Sequence, residues 1–98
     1  MPFKKSNEQT IGEAIRELLS TYRLEGKLNQ ARIIEAWEDV TGPMISKHTR
    51  EMYIKGSKLF VEIDSPALKN ELTYSKGRIV ASLNEAVGQE VITDIVFR

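Results

Sequence analysis

The sequence predicts an α+β domain: a three-stranded sheet packed on helices, in the order α-α-β-β-α-β. Three observations carry that prediction. Apolar residues recur at helical spacing before residue 42 and again after residue 65. Between them, two runs alternate apolar and polar residues around Gly56-Ser57. The chain then closes on a β-rich segment, Val91 to Phe97. Periods of 3.6 and 2 are the signatures of half-buried helices and strands.

The first helix is placed by Ile11, Ala14, Ile15, Leu18, Leu19 and Tyr22, which recur on one helical face. Thr10 with Glu13 forms a capping-box pattern, in which each side chain satisfies the other's backbone N–H. Gly26 is expected to stop this helix. A second helix is expected over about 30–41, capped by Asn29, stapled by Leu28 and Ile33, with Ala31, Ile34, Trp37 and Val40 on one face. Gly42 ends it, and Pro43 suits the first turn of a short helix running to about His48, where a missing N–H costs nothing.

Met52 and Ile54 then alternate with Glu51, Tyr53 and Lys55, and Leu59, Val61 and Ile63 with Phe60, Glu62 and Asp64. Gly56-Ser57 reads as a two-residue hairpin turn, because glycine supplies the positive φ that such turns need. Ser65-Pro66 starts a long helix with buried positions Leu68, Leu72, Ile79, Leu83 and Val87, interrupted by Ser75 and Lys76 and ended by Gly88. Three strands leave two open sheet edges, available for strand addition.

Composition narrows the function. Ninety-eight residues make one domain, with residues 1–9 polar and expected to be flexible and residues 10–98 folded. Fourteen basic residues balance fourteen acidic ones, which argues against bulk capture of polyanions. No cysteine is present, so disulfides and thiolate metal sites are excluded. No apolar run approaches the roughly 18 residues of a membrane span, and no apolar segment follows Lys4 and Lys5 as in a secretory signal. These features predict a cytoplasmic protein without a membrane partner.

Catalytic and metal-binding signatures are missing from the pattern. His48 is the single histidine, and a metal site needs three or four converging ligands. No nucleophile–base pair or Walker-type phosphate loop occurs, and Glu62 and Asp64 read as a solvated strand face. No cofactor is expected. Trp37 reads as a core anchor, and His48-Thr49 as residues that shape the start of the first strand through hydrogen bonds.

The candidate binding residues are basic and aromatic. Lys47, Arg50, Lys55 and Lys58 form a local positive excess against Glu51 alone, and Lys69 and Lys76, spaced to share a helix face, could extend it. Tyr53 and Phe60 lie on the non-core side of their strands, where aromatic rings can stack bases or pair with each other. Solvated charge and edge lysines that block aggregation are the alternative reading of the same residues.

Several of these segments also form a joint pattern. Trp37, Val40, Gly42, Ile45, His48 and Thr49 lead to a hairpin marked by Ile54, Gly56, Leu59 and Val61. Ser65, Leu68, Glu71-Leu72, Leu83-Asn84 and Gly88 follow, with a terminal Ile95-Val96-Phe97-Arg98. The pattern resembles the DciA-type family of bacteria, formerly a domain of unknown function, over residues 10–98. The resemblance implies a K-homology-like two-layer fold and a role in DNA replication: a non-ATPase partner of the replicative DnaB-type helicase that helps place it on DNA and contacts DNA, single strands among the candidate forms. K-homology domains that grip single strands use a Gly-x-x-Gly loop, and none occurs here. Two alternatives follow from the residues: a K-homology-like DNA- or RNA-binding module without a helicase partner, and a pure protein-interaction domain.

Overall fold

The structure, a computed structural model, describes residues 10–98; the segment 1–9 expected to be flexible lies outside them. Helix α1 (Ile11–Thr41) starts as the sequence predicts, with Thr10 Oγ1 accepting from the Glu13 N–H at 3.1 Å and Glu13 Oε1 accepting from the Thr10 N–H at 3.0 Å. It then continues through Gly26 without a break, so the two helices predicted before residue 42 are one. A glycine inside a helix costs only about 1 kcal/mol relative to alanine. Its neighbours Arg23, Leu24, Glu25, Lys27 and Leu28 are good helix formers, and Gly26 does not take a positive φ. Asn29 therefore caps nothing; its amide donates to Gln89 Oε1 at 2.9 Å. The staple is absent too: Leu28 is half exposed within the helix, and Ile33 is fully buried.

Gly42 ends α1 with φ 97° and serves as the first residue before α2 (Pro43–Lys47). Strands β1 (Thr49–Lys55) and β2 (Lys58–Ile63) form the predicted hairpin. Gly56 has φ 63° and Ser57 does not share a positive φ, the pattern of a II′ rather than a I′ turn. The predicted long helix is two, α3 (Pro66–Thr73) and α4 (Lys76–Val87), broken where the sequence showed an interruption. Ser65 caps α3, its hydroxyl accepting from the Leu68 N–H. β3 is shorter than predicted, Asp94–Phe97, and returns parallel to β2. The sheet order is β1-β2-β3, which leaves β1 and β3 at the edges. The α+β class and the three-stranded sheet on helices are as predicted.

All helical cover is on one sheet face. Leu59, Val61, Ile63 and Ile95 from the sheet share a core with Ile33 and Trp37 of α1, Leu72 of α3, and Ile79 and Leu83 of α4. The buried stripe of α1 differs from the predicted one: Ile33, Ala36, Trp37 and Val40 face the core, while Ala31 is exposed. The loop before β3 is held by Asn84, whose side chain donates to the Ile92 carbonyl and accepts from the Val91 and Ile92 N–H groups. That brace buries Ile92 completely.

Trp37 joins the layers. Its indole N–H donates to Thr49 Oγ1 at 3.0 Å, and that hydroxyl donates to the Ile45 carbonyl at 2.8 Å. Its ring meets Phe97 at 6.4 Å between centroids. One side chain thus fixes α1 to α2, β1 and β3. Trp37→Ala is expected to cost about 3–5 kcal/mol. Thr49→Val keeps the shape but leaves the Trp37 N–H without an acceptor, at about 1–3 kcal/mol, while the Ile45 carbonyl still accepts from the His48 N–H; urea unfolding measures both. Gly26→Ala tests the continuous helix: it should raise helicity by circular dichroism and stabilise residues 11–41 by up to about 1 kcal/mol, whereas a left-handed stop at Gly26 would make the same change destabilising.

Candidate nucleic-acid interface

The sheet face away from the helices carries no covering element among the described residues. Strand alternation and register set its side chains in three rows. Lys55, Lys58 and Asp94 form the row nearest the hairpin turn; Tyr53, Phe60 and Val96 form the middle row. Glu51 and Glu62 are in the third, where the C-terminal Arg98 extends the ladder: its N–H donates to the Val61 carbonyl and its carbonyl accepts from the Ile63 N–H.

The middle row is the distinctive part. The Tyr53 and Phe60 rings stack at 4.9 Å between centroids with 6° between their planes, so they pair across the strands. The Arg98 guanidinium lies 5.4 Å from the Tyr53 ring centre, within cation–π range. Tyr53 keeps 38% of its surface exposed. The result is a stacked aromatic platform with a lysine pair at one end and an arginine at the other. Such a surface can accept a planar ring and place phosphates near the cations.

The predicted basic residues divide among four places. Lys55 and Lys58 are directly paired across the strands at the hairpin end. Arg50 is at the other end of β1, about 17 Å away along the strand, and pairs with the Asp64 carboxylate. Lys47 ends α2. Lys69 is on α3 and Lys76 begins α4, on the helical layer, so the helix break removes the shared face that their spacing suggested. The open face is also electrically mixed: Lys55, Lys58 and Arg98 are offset by Asp94, Glu51 and Glu62. Arg98 is the cation beside the Tyr53 ring that the strand pattern missed; it continues the β3 ladder.

Asp64 is exposed, as predicted, but its carboxylate is also paired. Its Oδ1 is 2.7 Å from His48 Nδ1, its backbone N–H donates to the His48 carbonyl at 3.0 Å, and Arg50 holds the second oxygen. The hydrogen bond with His48 is the main reason its pKa lies below the ordinary carboxylate value; Arg50 acts in the same direction and partial desolvation opposes both. His48 and Arg50 therefore clamp the start of β1 to the end of β2. Among the described residues no cluster of three or more His, Cys, Asp or Glu side chains could hold a metal ion. No described helix is long and apolar enough to cross a membrane.

Comparison with known proteins finds the family that the sequence pattern resembles. The model of the family described as DciA, the DnaC/DnaI antecedent, matches residues 10–97. A UPF0232 protein of Corynebacterium glutamicum (strain R) is 37% identical over 59 residues, 60% of this chain and 33% of that protein. A UPF0232 protein of Mycobacterium ulcerans (strain Agy99) is 24% identical over 87 residues, 89% of this chain and 46% of that protein. The chain thus spans between a third and a half of the length of these relatives.

The clamp has a pH signature. A carboxyl held below its ordinary value of 3.8 stabilises the fold fully above that value and loses the contribution as pH falls through the lower, folded-state value. Asp64→Asn should therefore lower the urea midpoint at neutral pH, with the deficit shrinking below about pH 3.8. A deficit constant down to acid pH would show that the carboxylate charge contributes nothing.

Proposed function

The chain belongs to the DciA family, and from that membership we propose that it is a non-enzymatic DNA-replication accessory protein. In this reading it binds the replicative DnaB-type helicase and contacts single-stranded DNA across the open sheet face. Membership supports the replication role, and the stacked Tyr53–Phe60 pair carries the DNA contact. A base packs against the exposed part of Tyr53, and Lys55 and Lys58 receive the flanking phosphates. Arg98 adds a further cation at the opposite end of the platform.

The geometry ranks the contacts. Tyr53, Phe60, Lys55 and Lys58 share one face and act together. Lys47, Arg50, Lys69 and Lys76 serve only a longer strand that wraps beyond the sheet. The three carboxylates on the face keep the phosphate attraction weak, so stacking supplies more of the affinity than charge does.

The same mixed charge favours a second reading, a pure protein-interaction surface. Complementary salt bridges and an aromatic centre suit a protein partner, and the β1 edge offers backbone groups for strand addition. Fluorescence anisotropy with single-stranded DNA, duplex DNA and RNA at two salt concentrations separates the readings. Single-stranded DNA is expected to bind best. Tyr53→Ala should cost about 1–3 kcal/mol of affinity, and neutralising Lys55 and Lys58 together should flatten the salt slope by roughly 1.4. No binding to any nucleic acid would transfer the face to a protein partner, and a preference for RNA would favour a K-homology-like RNA module. The helicase contact is tested separately by gel filtration with a DnaB-type helicase, where no complex at micromolar concentrations would refute it.

A further inference from the structure

Every residue of α1 from 11 to 28 is exposed. Ile11 is 80% exposed, Tyr22 is 60%, and Ile15, Leu18 and Leu19 are each about half exposed. Five turns of an α-helix span 18 residues. Ile15, Leu18, Leu19 and Tyr22 therefore share the angular positions of Ile33, Ala36, Trp37 and Val40, which face the core. The core-facing stripe continues past the end of the body with nothing from the described chain upon it. A helical segment of this length that contains Gly12 and Gly26 and packs on nothing is marginal in water.

We propose that this stripe pairs with the same stripe of a second copy, with the two helices antiparallel. The main layers Ile11, Ile15, Leu18 and Tyr22 are separated by four, three and four residues. That spacing reads the same in both directions. Antiparallel placement therefore sets Ile11 against Tyr22 of the second copy and Ile15 against its Leu18, with every layer matched under one two-fold axis. No charged residue enters the seam, because helical spacing places Glu13, Arg16, Glu17 and Arg23 on its flanks and far side. Leu19 falls beside Ala14 of the second copy, where the small side chain leaves room.

Sterics exclude the parallel alternative. The body occupies the same side of α1 from Asn29 onward, where Gln89 touches it. Two parallel copies would place both bodies in one volume. Antiparallel copies place the bodies at opposite ends, with about 9 Å of helix between Tyr22 and Leu28 as clearance. Five large apolar side chains from each copy, along a seam of about 17 Å, put the contact at the low end of specific interfaces, so dimerisation should be concentration-dependent.

Sedimentation velocity of the full chain from about 1 to about 200 µM tests the pairing, over the range of a micromolar dissociation constant. A monomer–dimer shift is expected for the wild type and for Leu18→Met. Leu18→Glu is expected to stay monomeric, with the unfolding curve of the body unchanged because Leu18 touches no core residue. Orientation is read by cross-linking, since the chain has no cysteine of its own. Oxidising a mixture of Ile15→Cys and Leu18→Cys should give a disulfide-linked pair, and Ile11→Cys alone should not. A wild type that is monomeric throughout overturns the proposal and leaves the stripe to a different protein. A dimer indifferent to Leu18→Glu, or efficient self-cross-linking of Ile11→Cys, overturns it as well.

Discussion

The hydrogen bond from the Trp37 indole to Thr49 is the constraint on which the rest of the fold depends. A large ring can be buried only if its N–H finds an acceptor. Here the acceptor is the hydroxyl at the first residue of β1, itself anchored to the Ile45 carbonyl of α2. The relay determines where α1 crosses the sheet and in which register β1 begins. With Trp37 seated, Phe97 packs on its ring and β3 is held alongside β2. The clamp of His48 and Arg50 on Asp64 closes the same end of the hairpin from outside the core.

Because that anchor brings every helix to one side of the sheet, the other side stays open. The outer rows are too polar for a second core and too aromatic for a merely solvated surface. Tyr53 and Phe60 cover each other and leave one ring partly free. Mixed charge around them sets a limit on how far electrostatics can contribute to any contact with a polyanion. The second open surface, the apolar stripe on α1, arises differently: the helix simply outruns the body that its far half packs against.

Much of this was legible along the chain, and the failures have physical causes. The hairpin, its turn and the outward placement of Tyr53 and Phe60 follow from strict alternation, which fixes the face of every residue once one is known. The capping box at Thr10 was legible because it is a local bond pattern. Gly26 was misread because a glycine's freedom permits a stop without requiring one, and its neighbours favour continuation. The basic cluster was only partly legible. Proximity along residues 47–58 hid that an extended strand carries Arg50 and Lys55 to opposite ends of the sheet, and that Asp64 returns beside Arg50. Lys69 and Lys76 were linked by helical spacing that the break at Tyr74–Ser75 removes.

The sequence by itself determined the element types, the hairpin register and the family, because these rest on periodicity, local hydrogen-bond chemistry and motif spacing. It also marked Trp37 as a core anchor and Thr49 as a residue that shapes the start of β1 through hydrogen bonds. Only the tertiary structure decided which of the apolar stripes on α1 is covered, which cations remain free of carboxylates, and that Arg98 completes the aromatic platform. Those outcomes depend on distances between residues far apart in the chain, such as Arg98 and Tyr53 or Asn29 and Gln89. No local propensity encodes such distances.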